Sequence, residues 1–147
     1  MLTDIDKNYG FEIEFVAPDN HKGWISYRLC FIDLIKTRKI VFGEREELFF
    51  DIGFDPEIPK FCDLIRQFVA GKIDKFIFLP VDEEDFIFKA EFRNGRIFIQ
   101  ISSDILTISK DFGWPMGCQV ARDVLVSFGN DVNMSYGEIV ALIQNRG

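Results

Sequence analysis

The segment Phe11-Glu12-Ile13-Glu14-Phe15 alternates apolar and acidic residues with a period of two, as a strand with one buried face does. Pro18-Asp19-Asn20 supplies turn chemistry, and Trp24 to Ile32 then resumes in apolar and aromatic residues, which predicts a second strand. A further strand is expected over Leu48 to Ile52, with weaker extended structure over Ile40 to Phe42. The period then changes. Ile58, Phe61, Cys62, Ile65, Phe68 and Val69 recur at spacings of three and four, the stripe of an amphipathic helix. Asp55 is placed to cap it and Pro56 to occupy its first turn, where a missing N–H costs nothing. Gly71 is placed to end it in the left-handed conformation.

Asn94-Gly95 carries the strongest local signal, that of a type I′ hairpin. A two-residue loop there pairs Phe92 with Ile97, Ala90 with Ile99 and Phe88 with Ile101, all on one dry face. Glu91 with Phe98, Lys89 with Gln100 and Ile87 with Ser102 fall on the other. A slip of one residue would destroy that segregation, so turn and pattern specify the same register. Strands are also expected over Phe76 to Leu79 and Ile105 to Ile108.

The last third reads as two helices. Pro115 starts one, with Val120, Val124 and Phe128 on a common face and Gly129 at its end. Ser135-Tyr136-Gly137-Glu138 is a capping-box pattern ahead of Ile139, Val140 and Ile143, and starts the second. Strands, helix, strands and two C-terminal helices predict an α+β fold: an antiparallel sheet with helices packed on one face. With no linker, low-complexity segment or internal repeat, residues 1–147 are expected to form one domain.

Composition adds core material and a charge pattern. Seventeen phenylalanines in 147 residues give the chain ample apolar area to bury. The net charge is −7, and it is unevenly placed. Residues 1–43 are balanced, whereas 44–57 hold six acids against Arg45 alone, and Asp82-Glu83-Glu84-Asp85 runs without a base. Phosphate recognition needs lysine and arginine, so these windows disfavour nucleic acid and anionic membrane and suit a basic partner. Charge runs of this kind are also common in solvated connections between strands. The first residues contain no apolar run of the secretory type, and no stretch approaches the roughly 20 apolar residues of a membrane span. Cys30, Cys62 and Cys118 are odd in number and widely spaced, as expected of buried free thiols in a reducing cytoplasm.

Candidate chemistry is sparse. His21 is the only histidine and sits in a polar turn, so neither a histidine-based metal site nor a triad is indicated. Cys118, after Trp114-Pro115-Met116-Gly117, is expected in the first turn of a helix, where a thiol can be activated. Gly113 to Gly117 has the wrong spacing for a nucleotide loop, and Asp82–Asp85 lacks the alternating ligands of a calcium loop. The expectation is a binding protein without catalytic residues, cofactor or metal. Its alternatives are a small-molecule-binding or structural domain with a phenylalanine-rich core, and a small enzyme using Cys118 or scattered carboxylates.

In layout the chain resembles the small acidic immunity proteins of bacterial polymorphic-toxin and contact-dependent growth inhibition systems. The resemblance lies in Phe11-Glu12-Ile13-Glu14-Phe15, in Trp24 of a second strand, in the helix with Phe61, Leu64, Phe68 and Gly71, and in the Phe78-Leu79-Pro80 and Asn94-Gly95 region. It implies a cytoplasmic protein that occludes a cognate toxin domain, with acidic side chains standing in for the phosphates of a nuclease substrate. Glu44, Glu46, Glu47, Asp82, Glu83, Glu84 and Asp85 are the partner-binding candidates.

Overall fold

A computed structural model of the chain describes residues 1–16, 24–48, 57–78, 86–103 and 117–145. The alternation at Phe11–Phe15 becomes β2 (Tyr9–Phe15), which lies between β1 (Leu2–Thr3) and β3 (Trp24–Asp33). Its register sets Phe11, Ile13 and Phe15 opposite Phe31, Leu29 and Tyr27, so their side chains share the buried face. β4 (Arg38–Leu48) completes this antiparallel sheet, with a bulge opposite Leu29 and Cys30. The two separate extended segments expected around Ile40 and Leu48 are therefore one strand as far as Leu48; residues 49–52 lie outside the described residues.

α1 (Glu57–Val69) buries Ile58, Phe61, Cys62, Ile65 and Phe68, the expected stripe. Its end is also as expected. Gly71 has φ +77°, the Gly71 N–H donates to the Phe68 carbonyl at 3.1 Å, and the Lys72 N–H donates to the Gln67 carbonyl at 2.9 Å. That pair of bonds is the Schellman closure, which satisfies carbonyls the helix cannot use internally. The capping residues Asp55 and Pro56 lie outside the described residues.

The second half builds another antiparallel sheet, in the order β5 (Lys75–Phe78), β6 (Ile87–Arg93), β7 (Arg96–Ser102) and β8 (Cys118–Val120). The β6–β7 hairpin has the register read from the sequence, from Phe92↔Ile97 to Ile87↔Ser102. Asn94 and Gly95 both have positive φ, +51° and +77°, as a type I′ turn requires. Replacing Gly95 by alanine is expected to lower stability by about 1 kcal/mol, because a Cβ strains this backbone region although the space around it is open. A urea midpoint shift with an unchanged slope would register that loss.

Two expectations need correction. The strands form two four-stranded sheets rather than one sheet with helices on one face, although the class remains α+β. Among the described residues the C-terminal region holds one long helix, α2 (Arg122–Asn145), running through the positions expected to separate two. Leu125, Phe128, Val132 and Tyr136 are all buried, so the apolar stripe runs unbroken through the positions read as a stop and a new start. Gly129 belongs inside the helix because α1 crosses there: a Cβ at Gly129 would stand 3.0 Å from Cγ2 of Ile65. The residues just before α2 are also not helical, because Val120 is buried opposite Ile97 at the end of β8. The strand expected at Ile105–Ile108 lies outside the described residues.

Both sheets and both helices contribute to one apolar cluster. Phe11 of β2 meets Phe86 and Phe88 near 6 Å between ring centroids, and Phe128 of α2 at 5.8 Å. Phe61 of α1 meets Phe78 at 4.6 Å, Phe88 at 4.9 Å and Phe128 at 6.2 Å. A backbone bond also joins the sheets at one corner, from the Ile5 N–H to the Gln119 carbonyl at 2.8 Å.

Candidate functional site

Apart from Cys30, the apolar residues buried in each sheet take one face, so the functional candidates are on the opposite faces and along the strand edges. On the first sheet, the register aligns Glu14 of β2, Arg28 of β3 and Glu44 of β4 in one row. Arg28 Nε stands 3.4 Å from Glu44 Oε1, and Lys39 pairs with Glu14. The Glu44 and Arg28 side chains are 73 % and 46 % exposed, so their pair contributes little to stability and leaves Glu44 accessible. The neighbouring row is Glu12, Cys30 and the exposed Val41.

Glu44, Glu46 and Glu47 thus belong to a strand, where a run of acids had suggested a loop or solvated connection. Glu46 stands opposite Ser26 and Glu47 opposite Ile25 in the β3–β4 register. Asp82, Glu83, Glu84 and Asp85, like His21, lie outside the described residues.

The structure brings together acids that the sequence reading passed over. Glu12 and Glu14 of β2 and Glu138 of α2 line an open cleft of about 520 Å³, with Ile13, Phe15, Ser135 and Ile139. The alternation of Phe11–Phe15 already placed both β2 glutamates on one face. What it lacked was the long-range fact that the second half of α2 passes beside that strand, with Phe15 and Tyr136 in ring contact at 6.1 Å.

The outer face of the second sheet has the opposite charge. Lys75, Lys89, Arg93 and Arg96 surround Glu91, and the Arg93 guanidinium lies 5.1 Å from the centroid of the Phe98 ring. Arg93 also pairs with Glu91. The cleft lining is therefore acidic at Glu12, Glu14 and Glu138, with Lys39 pairing Glu14 at its border, whereas the β5–β7 face is mainly basic.

Cys118 is not at a helix start; it is in β8, opposite Ile99. Burial pushes its thiol up to about 11, and the charges of Asp4 and Asp6 add to the rise. Cys30 is likewise raised to about 11, first by burial and then by Glu12. A thiol so raised is almost wholly protonated at neutral pH, the reverse of an activated nucleophile. Alkylation of Cys118 by iodoacetamide should accordingly be slow at pH 7 and rise about tenfold per pH unit up to about pH 10. A rate that levels off near pH 7 would show an activated thiol and contradict this account.

Most of the described phenylalanine rings pack against other aromatic rings, and the crevice between α1 and α2, beside Cys62 and Gly129, has only about 40 Å³ of space; Phe98 instead lines an open, basic cleft of about 440 Å³ with Arg93, Asn94 and Arg96. Among the described residues no group of three or more His, Cys, Asp or Glu side chains could hold a metal ion, and no helix is long and apolar enough to cross a membrane. No protein family, curated protein or solved structure matches the chain.

Proposed function

We propose that the protein binds a basic protein partner through acidic surface and neutralises it by occlusion, in the manner of an immunity protein acting on a cognate toxin domain. The observation that carries this reading is the concentration of charge. Residues 44–57 and 82–85 together hold more negative charge than the whole chain's net −7. Among these acids Glu44 is well exposed, on the same face of the first sheet as Glu14. Such a surface steers a basic partner during encounter and pairs with its arginines and lysines after docking. Glu46, Glu47, Asp82, Glu83, Glu84 and Asp85 complete the proposed surface, and a nuclease is the kind of toxin whose phosphate-binding site it would cover. The raised thiol of Cys118 speaks against the activated-thiol alternative, and the alkylation profile above tests it. A cytoplasmic location belongs to the same proposal.

The test is a pull-down from the source cells with the intact protein, at low and at high salt, with the bound protein identified by mass spectrometry. The expected result is one basic partner, retained strongly at low salt and more weakly at high salt. Partners that are all acidic, or no partner at either salt, would overturn the reading.

A further inference from the structure

In antiparallel pairs, directly opposed residues alternate between exchanging both backbone bonds and exchanging none. The Val16 N–H donates to the carbonyl of Ser26, its opposite residue, at 2.9 Å. Counting back in twos, Glu14 and Glu12 bond β3, so Ile13 and Phe15 direct their N–H and C=O groups to the other side of β2. On that side β1 reaches only Gly10 and Phe11. Ile13 and Phe15 thus present two donors and two acceptors with no partner among the described residues, spaced about 6.8 Å apart as alternate residues of a strand are. This open edge borders the cleft lined by Glu12, Glu14, Ser135 and Glu138.

We infer that this edge of β2 accepts an extended basic segment of the protein partner as an added strand. The backbone groups of Ile13 and Phe15 set where the strand binds, and the three glutamates select its charge. Main-chain bonds of this kind give affinity without a particular side-chain sequence, while flanking pockets and charges give selectivity. A second copy of the chain is disfavoured, since joining the same edge of two copies would bring Glu12 and Glu14 of one against those of the other. The inference rests on the proposed function for the partner's basic charge, but it uses a different set of residues.

The test uses the full chain and a synthetic peptide of alternating lysine and valine, with exchange of the β2 amides followed by NMR. Saturable binding that slows exchange at Ile13 and Phe15 is expected. N-methylation of alternate peptide residues should abolish it on the bonding register. Glu12→Gln with Glu138→Gln, two cleft residues outside the core, should weaken it about threefold to tenfold. No binding, binding without protection of these two amides, indifference to N-methylation in both registers, or equal binding of a glutamate–valine peptide would overturn the inference. So would a concentration-dependent dimer that protects the same amides, which would assign the edge to a second copy. Peptide failure beside a successful pull-down would remove this docking mode alone; edge binding without a basic cellular partner would remove the proposed function alone.

Discussion

Replacing Phe61 by alanine is expected to lower stability by about 3–5 kcal/mol, the largest loss of any single truncation considered. Phe61 is 1 % exposed and touches the rings of Phe76 and Phe78 on β5, Phe88 on β6 and Phe128 on α2. Removing it takes away the transfer energy of the ring and leaves a cavity where α1, α2 and the second sheet meet. Its neighbours are themselves rings held by other rings, so the site cannot collapse cheaply. Thermal or urea unfolding would measure the loss. A cost below about 1 kcal/mol would mean that Phe61 is not at the junction described.

Replacing Gly129 by valine should be the most damaging enlargement. Its Cβ would meet Ile65 Cγ2 at 3.0 Å, and the two further methyls of valine would have to enter the contact between α1 and α2. Over-packing of a close helix contact costs about 1–3 kcal/mol. Alanine at the same position should be nearly neutral, because the gain in helix propensity, about 1 kcal/mol, offsets the tight contact. The diagnostic result is non-additivity. Ile65→Ala opens room for the valine, so the double variant should be more stable than the sum of the two single losses predicts. Strict additivity would show that Gly129 and Ile65 do not share a contact.

The same two residues explain much of what the sequence could and could not reveal. Local signals that agreed with each other were decisive: Asn94-Gly95 and the alternation on both sides of it fixed a register that the structure reproduces pair by pair. Gly71 was readable as a helix end because it follows the last apolar position, Val69, and glycine takes the left-handed conformation there; the Lys72–Gln67 backbone bond closes that turn. Gly129 carries the same local signal for a different reason. It is small because another helix passes close by, and only the position of Ile65 reveals that. Reading it as a stop split α2 into two. The division of the strands into two sheets was equally hidden, since each hairpin specifies its own pairing but not which sheet it joins. Phe11 shows the result, with its ring against Phe86 and Phe88 of the other half.

The candidate site was legible to the same extent. Charge counting located the acidic windows, and within the first of them the structure gives Glu44 an exposed position in a row with Arg28 and Glu14. It could not show that Glu44, Glu46 and Glu47 lie on a strand whose positions alternate. Nor could it bring Glu138, over a hundred residues away along the chain, beside Glu12. Cys118 was misplaced because Gly117-Cys118 follows a proline, a helix-start pattern. The pairing of Val120 with Ile97 overrode that pattern with a strand.

The central claim is that acidic surface holds a basic protein partner. It is tested most directly by measuring the affinity of the captured partner for two proteins at several salt concentrations. One is the native chain; the other carries Glu44→Lys, Glu46→Lys, Asp82→Lys and Glu84→Lys, with its fold verified by circular dichroism. The account predicts that binding of the native chain weakens as salt rises, and that the variant binds at least about 100-fold more weakly with a flatter salt dependence. Equal affinity of the two proteins at every salt concentration would contradict it.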